Sequence, residues 1–298
     1  MLNSAKLNLF FYYMNEREKV RIKKESGQPW PFTEDKILQR YKFTNVLREN
    51  DRASRWFIKN WALPHKDLPL EIQLYNCGLF RYFGTIDFAS TVGYQTAGHN
   101  PQHIISTASD MLNRGLKVFT GAYVITNGGI PDNKENVVVN HYLKALWDNA
   151  PKLVAIAKET KSWQAVAEKM MKLPGWGGTG FMTKECLSDA MFTSVLEECV
   201  DRNTWSPCGP GARRGLNWLH DREEDHKCKD SQFLEEMKEL FEMCPSCFED
   251  HMPRVGEKFD LHAIQFALCE IYKYQKVLNG LGKPRSGYGE NRVNRKEV

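Results

Sequence analysis

Apolar positions along the chain recur mostly at three- and four-residue spacing and seldom alternate strictly, a pattern that predicts a mostly α protein. Helical periodicity covers residues 35–60, 71–83, 87–93, 101–114, 135–160, 162–172, 181–200, 231–244 and 260–278, each stretch bounded by Gly, Pro, Asn or Ser. Pro31-Phe32-Thr33 supplies the entry to the first, with Thr33 as N-cap and Glu34 and Asp35 in the first turn. Two short runs, 117–120 and 123–126 around Gly121, read as strands or a hairpin. Neither a fixed-period repeat nor a long Pro/Gly/Ser linker interrupts the pattern, so a single helical domain over 1–298 is expected.

Composition narrows the class. With 298 residues, 42% hydrophobic and 26% charged, the chain is neither disordered, collagen-like nor a disulfide-dense mini-protein. Its longest apolar stretch, Leu7 to Met14, is too short to span a bilayer, so a soluble intracellular protein with no membrane partner is expected. The net charge of +4 conceals an asymmetry: residues 221–250 carry 11 acidic and 4 basic side chains, leaving +11 on the rest. Basic residues gather at 19–24, at Arg48/Arg52/Arg55, at Arg213/Arg214 and in a tail over 283–298. A basic body with an acidic insert at 221–250 suits a surface that meets phosphates on one side.

The eight cysteines are scattered and no disulfide framework is read from them. Cys244-Pro-Ser-Cys247 has the spacing of half a zinc site, with Cys228, His226 or His251 available to complete it. A second CxxC or HxxxH is missing, however, and Cys244 continues the helical pattern Phe233, Met237, Leu240, Phe241, where a thiol simply packs. No metal and no cofactor is expected.

Leu173-Pro-Gly-Trp-Gly-Gly-Thr-Gly180 lies between two predicted helices and reads as a helix-hairpin-helix element. Gly175, Gly177 and Gly178 allow a tight turn whose N–H groups, with the following helix N-terminus, face a DNA phosphate; Thr179 and Lys184 add a hydroxyl and a charge, and Trp176 an aromatic face. A plain glycine-rich helix connection is the alternative. Neither this segment nor Gly280-Leu-Gly-Lys-Pro-Arg285 fits GxxxxGK[ST], so a P-loop is excluded. Downstream, residues 209–215 place three glycines beside Arg213 and Arg214, a loop suited to clamping phosphate or carboxylate. Asp201, 26 residues after Gly175, is near the offset of the catalytic aspartate in helix-hairpin-helix base-excision enzymes, and a turn carboxylate is its alternative. Glu270, Lys273 and Tyr274 share a helix face. Near the N-terminus Asn15, Arg17, Arg21, Arg48, Asp51 and Arg52 sit among aromatics, either as an Arg–Asp network or as an anion or base pocket.

Phe10-Phe-Tyr-Tyr-Met-Asn-Glu-Arg17, Gln28-Pro-Trp-Pro-Phe-Thr33 with Asp35, Phe43-Thr-Asn45 with Arg48, Asp51 and Arg52, the 173–181 turn, Gly209-Pro-Gly-Ala-Arg-Arg-Gly215 and Leu268-Cys-Glu with Lys273-Tyr274 occur in collinear order. In these the chain resembles the α-glutamyl/putrescinyl thymine pyrophosphorylase family of amino acid:DNA transferases, whose fold is shared by the helical domain of 5-hydroxymethyluracil DNA kinases. It departs from that pattern in its Lys-rich and 221–250 segments and at Gln265 and Tyr272. The resemblance implies a helical, DNA-glycosylase-like fold and a bacteriophage enzyme working in the cytoplasm of an infected bacterium. Its partners would be double-stranded DNA containing modified thymine, an amino acid or polyamine, and a separate 5-hydroxymethyluracil DNA kinase. The amine would displace phosphate or pyrophosphate at the 5-methylene. Arg213, Arg214, Lys273 and Arg285 would hold the leaving group, Asp201 or Glu270 would take a proton, and Trp176 or Trp205 would stack on an extruded base. Asn15, Arg17, Arg21, Arg48 and Arg52 would line the substrate pocket. Two rivals stay open: a glycosylase using Asp201 at an oxocarbenium-like sugar, and a non-catalytic DNA-holding module.

Overall fold

Among the described residues, 2–282 and Gly287 of a computed structural model, the chain is helical and forms no strand, only the isolated bridges Tyr41–Gly287 and Val255–Phe259. In chain order the helices are α1 Ser4–Glu25, α2 Lys36–Arg40, α3 Arg52–Phe57, α4 Leu70–Phe83, α5 Ile86–Val92, α6 Pro101–Asn113 and α7 Lys134–Val137. They continue with α8 Lys144–Thr160, α9 Trp163–Met170, α10 Phe181–Ala190, α11 Pro210–Leu219, α12 Asp230–Cys247 and α13 Leu261–Leu278.

Several expected elements are redrawn. The longest helix, α1, gives no one-sided apolar stripe because Phe10, Phe11, Tyr13, Met14, Asn15, Arg17 and Glu18 are all buried, so its core-facing surface wraps around the axis. The run over 35–60 breaks after Arg40. Its N-cap is Asp35, not Thr33: the Asp35 carboxylate accepts the Ile37 and Leu38 N–H groups, while the Thr33 hydroxyl accepts the Asp35 N–H and donates to Glu16. The helix does not resume at once because the Phe43 carbonyl and the Asn45 N–H are taken by Arg17 and Asp51, tertiary partners that replace i to i−4 bonding. The run over 181–200 stops at Ala190 in tight turns, Phe192 N–H to the Asp189 carbonyl and Thr193 N–H to the Ala190 carbonyl. Residues 117–126 are bends, anchored where the Thr120 N–H donates to the Phe83 carbonyl. Residues 210–215, expected as a loop, are the first turns of α11, with Gly209 as N-cap and Pro210 at the first helical position, where a missing N–H is harmless.

Two compact units form, one from both ends of the chain, up to Asp51 and from Arg202 onward, the other from Arg52 to Asp201. In the first, α1, α11, α12 and α13 enclose a core that includes Phe10, Met14, Leu216, Met237, Ile264 and Ile271. α11 packs extensively against α13. A Cβ at Gly215 would overlap the Leu268 backbone carbonyl, and one at Gly211 would lie 2.9 Å from the Cys269 sulfur, so two glycines one turn apart set this approach. In the second unit α4 is buried along Gln73 to Phe83 and packs on α8 and α10, with Gly78 leaving room for Leu146 and Trp176. There the buried Arg81 guanidinium pairs through Nε and Nη2 with both oxygens of the fully buried Asp189, and Nη2 also reaches the Ser54 hydroxyl at 3.2 Å. The two charges tie α4 to α10 and each keeps the other tolerable inside the core.

Removing one partner of that pair strands the other. Asp189→Ala is expected to lower unfolding stability by about 3–5 kcal/mol in urea denaturation. Gly215→Ala is expected to lower it by about 1–3 kcal/mol by forcing α11 off α13.

Candidate functional site

In the first unit the residues of α1, the 33–51 segment and α13 converge on a buried polar cluster. Arg17 donates through Nε and Nη2 to the Phe43 carbonyl, 3.3 and 3.1 Å away, and through Nη2 to the Asn45 side-chain oxygen at 2.6 Å. Asn45 in turn gives its backbone and side-chain N–H groups to one oxygen of Asp51, at 2.9 and 3.0 Å. The expected Arg–Asp network is therefore real but runs through Asn45, and it ties α1 to the 43–51 segment. Glu270 closes the cluster from α13, paired with Lys273 at 2.6 Å and accepting the Thr44 N–H at 3.4 Å. Tyr13, fully enclosed, lies beside Tyr274 with ring centroids 5.2 Å apart, and its hydroxyl has no hydrogen-bond partner. Tyr274 donates to Asp35 at 2.6 Å and Tyr12 donates to the same oxygen at 3.2 Å.

Electrostatics singles out one member. Burial pushes the Asp51 carboxyl up to about 6 despite the Asn45 N–H and the nearby Arg48 and Arg17, with Glu270 adding to the rise. Burial likewise raises Tyr13, with Glu270 contributing, and raises Tyr12 to about 12 with help from Asp35 and Glu16. A carboxyl poised near 6 takes up a proton close to neutral pH, which suits a general base. Sequence reasoning left Asp51 between an Arg–Asp network and an anion or base pocket, and did not name it as a proton acceptor. The signal was its six-residue separation from Asn45, which carries no chemical meaning until the turn at 45–51 brings the two together.

The structure gathers Arg17, Arg48, Glu270 and Lys273 in or beside this cluster but not the other pocket residues. The Arg48 guanidinium carbon lies 4.9 Å from the Phe266 ring centre. Arg21 bonds Glu18 and Glu25 along α1. Asn15 anchors the chain after α12, donating to the Cys247 carbonyl at 3.0 Å and accepting the Glu249 N–H at 3.1 Å. Arg52 is an exposed residue of α3 in the other unit, and Arg285, with the other basic residues of the tail, lies outside the described residues.

Arg213 and Arg214 occupy a second feature of the first unit, a cavity of about 330 Å³ along α11. Its walls also include Asn217, Glu224, Asp225 and Phe233. Arg213 donates to the Cys208 carbonyl and to Asp230, both at 2.7 Å, with its guanidinium 5.0 Å from the Phe233 ring centre. Arg214 donates to Asp225 at 3.0 Å and sits 3.5 Å from Glu224. The acidic insert thus lies against the very arginines expected to face phosphate. Cys244 is buried within α12 with its thiol donating to the Leu240 carbonyl at 3.2 Å.

In the second unit the 173–180 segment does connect α9 to α10, with positive φ at Gly175, Gly178 and Gly180. Two of its expected DNA contacts are turned inward. Trp176 is fully buried and donates its indole N–H to the Tyr142 carbonyl at 2.8 Å, so it is a core residue and not a base-stacking face. Lys184 is buried as well, 3.0 Å from Glu185 and 4.9 Å from the Phe181 ring centre. Gly178 and Thr179 remain exposed. Asp201 serves as an N-terminal anchor for α9: its oxygens accept the Ser162 hydroxyl at 2.6 Å and the Trp163 and Gln164 N–H groups, each at 3.0 Å. That is the turn-carboxylate alternative in structural form.

Comparison with known proteins relates the chain to one family. The family model described as 5-hmdU DNA kinase, helical domain, matches residues 4–281. A 5-hmdU DNA kinase of Bacillus phage SP10 is 23% identical over 294 residues, covering 90% of this chain and 44% of the phage protein. The chain therefore spans less than half the length of that relative. No solved structure matches significantly. No helix among the described residues is long and apolar enough to cross a membrane.

The raised Asp51 carboxyl has a defined signature. Between its ordinary value near 4 and about 6, folded Asp51 holds a proton that the unfolded chain has released, so stability falls as pH rises through that window. Asp51→Asn is expected to flatten that fall by at most about 3 kcal/mol, roughly 1.4 kcal/mol per pH unit, in denaturation midpoints compared at pH 4 and pH 6.5.

Proposed function

The chain belongs to the family of 5-hmdU DNA kinase helical domains, and on that premise we propose that it acts in the modification of 5-hydroxymethyluracil within DNA. The observation that carries this reading is the family match over residues 4–281, supported by the phage relative named for the same modified base. The finer proposal is amine transfer: an amino acid or polyamine nitrogen attacks the 5-methylene of a phosphorylated 5-hydroxymethyluracil, the C–O bond breaks, and phosphate or pyrophosphate leaves with the bonding electrons. An attacking ammonium must first lose a proton. In this reading Asp51 accepts it, supported by its elevated carboxyl and by the adjoining Glu270–Lys273 pair. Asp201 is left out of this role because three hydrogen bonds commit it to α9. Exposed Gly178 and Thr179 remain candidates for contact with the DNA backbone.

A second reading is favoured by one observation, that the relative is a kinase of which this chain matches only 44%. Here the helical domain holds modified DNA for a kinase and performs no chemistry itself.

One experiment separates the two. Duplex DNA carrying phosphorylated or pyrophosphorylated 5-hydroxymethyluracil is incubated with the protein and a pool of amines, then digested to nucleosides for mass spectrometry. Amine transfer yields a nucleoside heavier by the amine, and Asp51→Asn lowers its rate by about 10²-fold or more while the duplex is still bound. Binding without a new nucleoside supports the holding module. Neither binding nor product would sink both readings.

A further inference from the structure

Among the described residues, the carboxylates that meet Arg213 and Arg214 all come from one segment, residues 224–230. Arg213 donates to Asp230 at 2.7 Å, and Arg214 donates to Asp225 at 3.0 Å with Glu224 3.5 Å away. The segment belongs to the stretch 221–250, which carries 11 acidic and 4 basic side chains. A guanidinium bonds carboxylate and phosphate through the same fork of N–H groups. These carboxylate oxygens therefore fill the positions that the oxygens of a phosphate group would take on the two arginines.

The segment is fastened by its backbone and loose at its charges. Buried Asn217, on α11, donates its amide N–H groups to the Glu224 carbonyl at 3.1 Å and the His226 carbonyl at 2.9 Å, and the Arg222 N–H donates to the Asn217 carbonyl at 2.8 Å. Asp230 is the first residue of α12, so its backbone is fixed as well. The carboxylates themselves stand in solvent: the side chains of Asp225 and Asp230 are 78% and 84% exposed, and ion pairs so exposed hold weakly. Glu224 has a second seat, Lys276 on α13 at 3.1 Å. All three leave the arginines by side-chain rotation while the backbone stays where Asn217 and α12 hold it.

We propose that residues 224–230 are an autoinhibitory strap, whose carboxylates occupy Arg213 and Arg214 in place of a phosphate group and give way to one by rotating aside. Being tethered, they compete at an effective concentration on the order of millimolar, so a weak monovalent anion does not dislodge them. A phosphate with two charges and several oxygens does. The strap thus sets a threshold on which anions reach α11. The inference deepens the transfer reading by naming what regulates its phosphate-holding arginines, and rests on it for the fate of the phosphate; the masking itself does not.

The test compares the full chain with its Asp225→Asn, Asp230→Asn double variant, two substitutions at exposed side chains. Binding is measured to inorganic pyrophosphate by calorimetry and to a short unmodified duplex by fluorescence anisotropy, both at physiological salt. The double variant is expected to bind about tenfold tighter, the sum of two exposed pairs no longer competing. Adding Arg214→Ala is expected to cancel the gain. The control, Glu239→Gln with Glu242→Gln, removes the same charge from exposed positions roughly 14 to 18 Å along α12 from Asp230, beyond the screening length, and is expected to leave binding unchanged. A gain with pyrophosphate assigns the masked site to a free anion, and a gain with the duplex alone assigns it to a backbone phosphate; either upholds the strap. No gain with either probe, an equal gain from the control, or a gain that survives Arg214→Ala would overturn it. A gain in a protein that adds no amine to DNA upholds the strap and removes the transfer reading, while amine transfer without the gain does the reverse.

Discussion

The approach of α11 to α13 is the constraint on which the first unit depends. Gly211 and Gly215 lack the side chains that would collide with Cys269 and the Leu268 carbonyl, so the two backbones close to a distance that other residues forbid. That close approach positions the polar side chains carried by both helices. Arg213 and Arg214, between the two glycines, are held away from the shared core and along the cavity; Glu270 and Lys273 on α13 are presented to the 43–51 segment. A motif that looks like a flexible loop in one dimension is in three dimensions a rigid seam.

The charged interior of the second unit works differently. Arg81 and Asp189 give α4 and α10 a paired contact between two buried, oppositely charged side chains. Burying two ions costs solvation that their attraction must return, so the gain lies as much in a unique arrangement as in stability.

Much of the helical layout was legible in the sequence, since 71–83, 87–93, 101–114 and 260–278 carry clear periodicity and their ends carry Gly, Asn or Asp. What escaped has physical reasons. α1 buries Asn15, Arg17 and Glu18 together with its aromatic residues, so its apolar positions alone do not mark the buried face. α11 was hidden by glycines that serve packing, not turning. The 35–60 break comes from Arg17 and Asp51 capturing backbone groups, a tertiary event with no local signature. At the site, Glu270, Lys273 and Arg17 were identified from charge among apolar neighbours. The inward turn of Trp176 and Lys184 was not, because a tryptophan after Pro-Gly looks the same facing solvent or core. The significance of Asp51 lay in its desolvation, which only the assembled structure displays.

The first unit takes its helices from both ends of the chain, with residues 52–201 between them. During synthesis the intervening unit has all its residues in hand by Asp201, and it can fold while the ribosome is still translating the rest. α1 is made before that unit, and α11, the first of its packing partners along the chain, is supplied only after about 190 more residues, a wait on the order of ten seconds or more at ordinary elongation rates. For that interval Phe10, Phe11 and Met14 lack their final neighbours, so a helix made before the second unit is completed only after it.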